Sequence, residues 1–197
     1  MVSMTGDRLR LVAGFEAAVD RHVRAFFEGH TCTVRVWEPG PMQELLPDFR
    51  VIEIAPGPKS PHWTYVSAGG AVLSRPDAEP LEFVLVAPEA NARHVEIVTM
   101  VAHYNHGIAL GEAHTIPIGG AWLPGSRCDH VLLLRPEAFG EAFEQIAAPG
   151  GRARILELVP ITEAERELKI AQGIAVLKAR LDAAAAETWR PDRPSVA

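Results

Sequence analysis

The chain has 197 residues, 48% of them hydrophobic, which predicts one globular domain with a substantial apolar core. Its 19 basic and 25 acidic residues give a net charge of −6, and the basic residues are scattered along the chain. This distribution argues against nucleic acid or an anionic membrane surface as the main partner, because phosphate binding depends on clustered Lys and Arg.

The sequence carries no pattern typical of export or of membrane insertion. Its start, MVSMTGDRLRLVAGF, lacks an uninterrupted apolar segment followed by a small-residue cleavage site. No stretch approaches the roughly 18 consecutive apolar residues of a membrane span. Cys32 and Cys128 allow at most one bridge and form no disulfide framework. We therefore expect a cytoplasmic protein.

The first third of the chain predicts a helix followed by strands. Between residues 7 and 28 apolar side chains recur every three or four positions, which is typical of an amphipathic helix. Cys32, Val34 and Val36 then alternate with Thr33, Arg35 and Trp37, which predicts a half-buried strand. FRVIEIAPGP predicts a second strand. The apolar positions of the helix are Val12, Phe15, Val19, Val23 and Phe26.

The middle of the chain predicts two more strands, HWTYVSAGG and LEFVLVAPE. In the first, Trp63 and Tyr65 alternate with Thr64 and Val66, so we expect one set to face the core and the other to face outward. Residues 91–106 fit either a helix or a strand, and Asn91 as an N-cap favours the helix.

The remaining segments complete an α+β pattern. HTIPI and HVLLLRP predict short strands, residues 137–147 a short helix, RARILELVP a strand and residues 163–186 a long helix. Helices thus flank a mixed, largely antiparallel sheet. We expect one domain over residues 1–187, and a flexible, proline-rich tail over 188–197.

Three alternating glutamates in LVPITEAERELKIAQG could be read as acid–base machinery. However, Thr162 with Glu165 three residues later is a capping box, in which each side chain accepts the backbone N–H of the other residue. Glu163 in the first turn is also favoured by the helix dipole. We interpret the run as the start of a helix.

Histidines form the second candidate site. His103 and His106 lie three residues apart near the end of a predicted helix, and His114 follows. A catalytic zinc site usually has three protein ligands and a structural one four, and no CxxC or HExxH motif accompanies these residues. Histidines near a helix C-terminus also complement its dipole. We expect no metal and no cofactor.

The loop around Ser126 is the third candidate. GAWLPGSR has the glycine spacing of a phosphate-binding loop, but Ser126 stands where that motif requires lysine. Ser126, Cys128, Asp129 and His130 offer nucleophile chemistry in one stretch, although catalytic partners are normally assembled from separate segments. We favour Cys128 as a small buried residue and expect no catalytic residue.

Aromatic residues point to binding instead. Trp122 lies in a Gly/Pro-rich loop, where a large apolar side chain either fills the core or anchors a partner protein. The core is the commoner place for such a residue. The candidate partner contacts are Trp63, Tyr65, Trp122 and Asp129.

Four segments, in order, resemble the Suppressor of fused domain family. They are PHWTYVSAGG, LEFVLVAPE, MVAHYNHGIALGEAHTIPIGGAWLPGSRCDHVLLLRPE and RARILELVPITEAERELKIAQGIAVLKARL. The pairing of LVPITEAE with the upstream HWTYVSAGG is the most specific feature. The resemblance covers roughly residues 50–185.

This resemblance implies a mixed α/β domain with no established catalytic residue, cofactor or metal. Animal members are regulators that sequester a transcription factor, and stand-alone bacterial members of this size resemble immunity proteins that neutralise a toxin. We therefore expect a non-enzymatic protein that binds another protein, such as a cognate toxin. The alternatives are a hydrolase using residues 126–130 or a His103/His106/His114 metal site, and a scaffold that forms homo-oligomers.

Overall fold

An eight-stranded sheet runs through the fold. The computed structural model describes the backbone of residues 5–75, 77–148 and 151–197, and the side chains of these residues except 5–13 and Ala148. The strands are β1 (Cys32–Arg35), β2 (Arg50–Ile54), β3 (Trp63–Ala68), β4 (Leu81–Ala87), β5 (Thr115–Pro117), β6 (Cys128–Leu134), β7 (Gln145–Ala148) and β8 (Gly151–Thr162). Their order is β1-β2-β3-β4-β8-β6-β5, with β7 paired to β8. Of the described pairs, only β4 and β8 run parallel.

Helices flank this sheet, as predicted. They are α1 (Thr5–Phe26), α2 (Met42–Leu45), α3 (Ala92–Gly107), α4 (Glu141–Glu144), α5 (Glu163–Gln172) and α6 (Ile174–Ala183). The α+β class with a mixed, largely antiparallel sheet is confirmed. No described helix combines the length and apolar character needed to cross a membrane. Residues 1–4 and the side chain of Val12 lie outside the described residues.

Both faces of the sheet are covered. On one face, α3 buries an apolar cluster that includes Tyr65, Phe83 and Leu156. On the other face, α1 packs over the side chains of β2, β3 and β4, and α5 with α6 pack over β6 and the end of β8. The central strands therefore need apolar residues at consecutive positions rather than in simple alternation.

This double covering overturns the prediction that one set of β3 side chains faces outward. Tyr65 lies beneath α3 and Val66 beneath α1, and both are fully buried. Trp63, at the start of β3, is half-buried. Period-two alternation marks a strand with one solvated face, which β3 does not have.

The prediction of a half-buried first strand is also wrong, because this strand is more exposed than predicted. β1 is an edge strand of four residues, and Val34 and Val36 remain 42% and 50% exposed. Only Cys32 on this face packs against the core. Both cysteines are free thiols.

The ends of the helices are set by capping residues and by residues that interrupt a helix. Asn91 caps α3 by accepting the N–H of Arg93, so the helix assigned to residues 91–106 is confirmed. The single helix predicted over 163–186 is divided at Gly173, whose φ of 89° breaks it into α5 and α6. The helix predicted over 137–147 is reduced to α4, because residues 145–148 pair with β8 as β7.

A buried carboxylate fixes the corner between β3 and β4. Glu82 accepts hydrogen bonds from the Ser67 hydroxyl and from the amides of Gly69, Gly70 and Ala71. Burial raises the pKa of Glu82 to about 7, although these donors favour the charged form. The sequence SAGGA thus turns around a side chain from the next strand.

The predicted capping box is confirmed and has a further partner. Thr162 and Glu165 exchange both capping bonds. The same Glu165 carboxylate accepts hydrogen bonds from both terminal nitrogens of Arg193, with N···O distances of 2.6 and 2.7 Å. Both side chains are buried. Burial alone would raise the pKa of Glu165, but Arg193 and the amides of Thr162 and Val196 hold it below its ordinary value. These contacts place Arg193 to Val196 against the domain.

Arg193→Ala should lower the free energy of unfolding by about 3 kcal/mol, because it leaves a buried carboxylate without its main partner. Since the pKa of Glu165 is lowered by folding, this contribution is present above its ordinary value of 4.5 and is lost as the pH falls through the folded-state pKa. Urea denaturation at neutral and acid pH measures both effects.

Arg190→Ala is the matched control, because Arg190 lies in the same segment but forms only exposed ion pairs. It should leave the urea midpoint unchanged. If Arg193→Ala also leaves it unchanged, residues 188–197 are the flexible tail that the sequence predicts.

Candidate functional site

The structure places two of the four predicted contact residues in the core. Trp122 and Tyr65 are both 0% exposed and are joined through the His94 ring, whose centroid lies 5.0 Å from that of Tyr65 and 5.5 Å from that of Trp122. The Tyr65 hydroxyl accepts the amide N–H of Asn91, which ties β3 to the start of α3. Neither side chain has surface to offer a partner in this conformation, so they position α3 and the 119–125 loop. Contact by Trp63 and Asp129 stays a prediction.

His94 is unusual because its ring is fully buried without a hydrogen-bond partner among the described residues. Neither ring nitrogen of His94 has a hydrogen-bond partner among the described residues, and the same holds for Nε1 of Trp122. Burial lowers the pKa of His94 to about 4, with a smaller contribution from the neighbouring Arg93 charge. The imidazole is therefore neutral at physiological pH and acts as a packing group between two aromatic rings.

Asp129 belongs to a separate cluster at the start of β6. His130 Nδ1 lies 2.9 Å from an Asp129 oxygen, and Nε2 lies 3.3 Å from a Glu163 oxygen. Both ring nitrogens thus face carboxylates. The Ser126 hydroxyl oxygen accepts the backbone N–H of Cys128. This arrangement gives His130 no free nitrogen to activate Ser126 as a nucleophile.

The same cluster is the candidate for metal binding. Asp129, His130 and Glu163 are the only three acidic, His or Cys side chains in the described residues whose ligand atoms come close enough for one ion. The Glu163 carboxylate also accepts Arg166 at 2.9 Å, so a guanidinium already supplies positive charge there. His103, His106 and His114 form no such group with one another or with other side chains in the described part of the chain.

One of the open edges of the sheet, that of β1, offers a different kind of site. Among the described strands, β1 pairs with β2 alone, and its other edge has no neighbour. Val34 and Val36 are exposed apolar side chains on this edge. Monomeric proteins usually protect such edges, because unpaired backbone groups and apolar side chains recruit another strand.

A groove runs between residues 35–42 and α3, on the face of the sheet opposite Val34. One part is a cavity of about 500 Å³ at the start of α3, and another of about 330 Å³ lies beside the middle of the helix. Trp37 and Pro39 line both parts and join them. The other lining residues used below are Arg35, Glu38, Glu53, Glu96, Met100 and His103.

The groove carries more acidic than basic side chains. Glu53 is paired with Arg35 at 2.8 Å, and Glu96 with Arg93 at 2.7 Å. Glu38 is exposed and forms no ion pair among the described residues. Sequence reasoning missed this surface because Val34, Val36 and Trp37 were assigned to a half-buried strand. The signal that could have identified it is a short apolar strand that ends at Pro39-Gly40-Pro41.

The architecture defines an α+β domain with an open sheet edge. Residues 47–194 match the family model described as Suppressor of fused protein (SUFU). The chain therefore belongs to the Suppressor of fused family, and the matched residues include Arg193.

Solved structures support the same fold. A SUFU homolog from Neisseria gonorrhoeae FA 1090 is 25% identical, with a TM-score of 0.81 over 93% of this chain and 97% of that chain. The Sufu–Fu complex contains a chain that is 16% identical, with a TM-score of 0.66 over 93% and 92%. Drosophila Suppressor of Fused is 13% identical, with a TM-score of 0.59, and this chain spans 52% of it. No curated protein sequence matches the chain significantly.

Stability should fall on acidification as His94 is forced to take up a proton. The folded-state pKa of about 4 lies below the ordinary value of 6.5, so this contribution is complete above pH 6.5 and is lost as the pH falls towards 4. We expect a loss on the order of 2–3 kcal/mol from this residue.

His94→Phe keeps a ring between Tyr65 and Trp122 and should flatten the stability profile between pH 7 and pH 4. Urea denaturation across this range measures the difference. His106→Phe, at an exposed position near the end of the same helix, is the control and should keep the wild-type profile. A His94→Phe profile parallel to wild type would contradict a buried neutral imidazole.

Proposed function

We propose that this protein is a non-enzymatic binding module that acts by sequestering another protein. The observation that carries the proposal is the open β1 edge, where Val34 and Val36 stay exposed beside the groove around Trp37. Exposed apolar side chains next to a groove are typical of surfaces that a partner covers. The Sufu–Fu complex, a structure of the same fold, also contains a bound partner.

The two rival functions have weaker support. A hydrolase built on residues 126–130 lacks a free base, because Asp129 and Glu163 face both nitrogens of His130. The histidine metal site is not assembled among the described residues. A scaffold role would place a second copy of the chain on β1, and it differs from our proposal in requiring self-association.

The partner that suits the chain best is a basic protein, and we propose a cognate toxin that this chain neutralises in the cytoplasm. The net charge of −6 favours encounter with a positively charged surface, because complementary charge raises the association rate. The groove adds to this acidic character the exposed Glu38, which has no ion-pair partner within the described ranges. The role is that of an immunity protein, which works by covering the surface of its toxin.

The test is a titration against the proteins encoded beside the gene of this chain. Each is purified in an inactive form, and isothermal titration calorimetry measures its affinity at low and high salt. We expect one basic neighbour to bind, with an affinity that falls as salt rises. Co-expression of the chain should also restore growth of cells that produce the active neighbour. If no neighbour binds, the sequestration proposal fails.

Trp37→Ala should weaken partner binding tenfold or more, because half-buried tryptophans at a groove commonly dominate an interface, at about 2 kcal/mol each. Its effect on folding should be much smaller, since Trp37 only borders the core. Calorimetric titration measures the affinity and thermal denaturation the stability. Equal affinity of Trp37→Ala and wild type would remove the groove from the interface.

Trp122→Ala provides the matched comparison. It should destabilise the fold by about 3–5 kcal/mol, because it empties a fully buried site. Below its lowered melting temperature, the variant should still bind the partner.

A further inference from the structure

The helical cover on one face of the sheet changes from α1 to α5 and α6 along β8. Ile155 belongs to the apolar cluster under α1, and Val159 belongs to the cluster under α5 and α6. Glu157 lies between them on the same face, because side chains two residues apart in a strand point the same way. Its neighbours in the adjacent strands are Val84 of β4 and Leu134 of β6. A carboxylate thus occupies a central position of the sheet, at the boundary between two apolar clusters.

A cavity of about 420 Å³ lies beside Glu157 at this boundary. Its apolar wall includes Leu134 and Val159 from the sheet and Leu181 from α6. The volume falls within the roughly 300–1,000 Å³ that is typical of small-molecule sites. The cavity is separate from the groove around Trp37, which lies beside α3 on the opposite face of the sheet.

Glu157 differs from the other ionisable groups of the interior in having no partner. It is partly buried, and no hydrogen bond or ion pair reaches its carboxylate from the described residues. Burial raises the pKa of Glu157 to about 7, and the nearby charge of Glu137 adds to the rise. Glu82 and Glu165, by contrast, accept hydrogen bonds from donors of this chain. An unpartnered carboxylate in these surroundings costs stability, so folding by itself does not account for it.

The remaining charges around the cavity leave an excess of negative charge. Lys178 pairs with Glu137 at 2.9 Å, and Arg135 pairs with Glu144 at 2.9 Å. Both basic side chains of the lining are therefore already neutralised. Asp182 on α6 also lines the cavity and forms no ion pair within the described part of the chain. A ligand that carries a positive charge suits this balance.

The lining also distinguishes between kinds of cation. A metal ion needs several ligand atoms close together, and Glu157 belongs to no such group among the described residues. A guanidinium often stacks on aromatic rings, and the described lining contains none. Leu134, Val159 and Leu181 instead suit a chain of methylene groups, which lies along apolar surface with its charge at the end. An ammonium group on a short aliphatic chain fits both the wall and the carboxylate.

We propose that this cavity binds the alkylammonium group of an aliphatic primary amine. The ammonium donates hydrogen bonds to Glu157, and the aliphatic chain lies along Leu134, Val159 and Leu181. The amine is a free small molecule or a lysine side chain of another protein, since both carry the same group. The inference goes beyond the proposed function, because this cavity and the Trp37 groove lie on opposite faces of the sheet.

The first experiment is an NMR titration with n-butylamine and with Nα-acetyl-lysine N-methylamide, which carry the same butylammonium group. We expect saturable shifts for n-butylamine, confined to the amides of residues 134–138, 157–159 and 178–188. The neutral control, n-butanol, should bind at least about tenfold more weakly, because it cannot form a charge-assisted hydrogen bond.

The two amines distinguish the two sources of the ligand. Saturation by both assigns the site to a lysine side chain of another protein, and saturation by n-butylamine alone assigns it to a free amine. If neither amine shows saturable binding, or if n-butanol binds as tightly, the proposal is overturned.

The second experiment compares two variants. Glu157→Gln keeps the shape of the side chain and removes its charge, and should weaken n-butylamine binding at least about tenfold. Glu141→Gln is the control, because Glu141 is exposed and lies outside the lining, and its affinity should stay within about twofold of wild type. Equal affinity of Glu157→Gln and wild type would contradict the site.

Thermal denaturation of Glu157→Gln tests whether the carboxylate lacks a partner. The melting temperature should equal or exceed that of wild type, because the substitution breaks no bond within the chain. A marked fall, or failure to fold, would show that the carboxylate is held by the chain itself, and would also overturn the proposal.

The pH dependence of binding provides a third test. Glu157 ionises around its pKa of about 7, whereas an alkylamine stays protonated up to about pH 10. Since only the ionised carboxylate attracts the ammonium group, affinity for n-butylamine should rise roughly tenfold from pH 6 to pH 8. The residual binding of Glu157→Gln should show no such rise. A flat profile in wild type would contradict the role of Glu157.

Discussion

The covering of the sheet by helices on both faces is the constraint on which the rest of this structure depends. Because α3 lies on one face and α1 with α5 and α6 on the other, side chains of the central strands are removed from water in both directions. Aromatic residues such as Tyr65 and Trp122 become structural elements of the interior. The edges of the sheet, the outer surfaces of the helices and the exposed loops remain to meet another molecule.

Within this interior, the buried ionisable side chains stabilise the fold. Glu82 organises a turn, Glu165 holds Arg193, and His94 separates two aromatic rings as a neutral group. Each is a buried ionisable residue, which often marks an active site. Here the partners of Glu82 and Glu165 are backbone amides, hydroxyls and a guanidinium of the same chain. These contacts explain the burial without a substrate.

A function carried by the exterior is consistent with this division. The open edge of β1 and the groove around Trp37 lie where the covering ends, and they combine backbone groups, apolar side chains and acidic charge within one extended surface. The same physical features would also expose the protein to self-association, which the brevity of β1 and the nearby prolines restrict.

The sequence by itself determined the local features: the α+β class, the Asn91 cap, the Thr162–Glu165 capping box and the positions of most strands, because periodicity and caps act within a few residues. Only the tertiary structure decided which strands lie inside and which at an edge. Val34 and Tyr65 sit in similar apolar alternations, yet one is exposed and the other buried, since strand order depends on contacts distant in sequence. The pairing of Glu165 with Arg193, 28 residues apart, was hidden for the same reason.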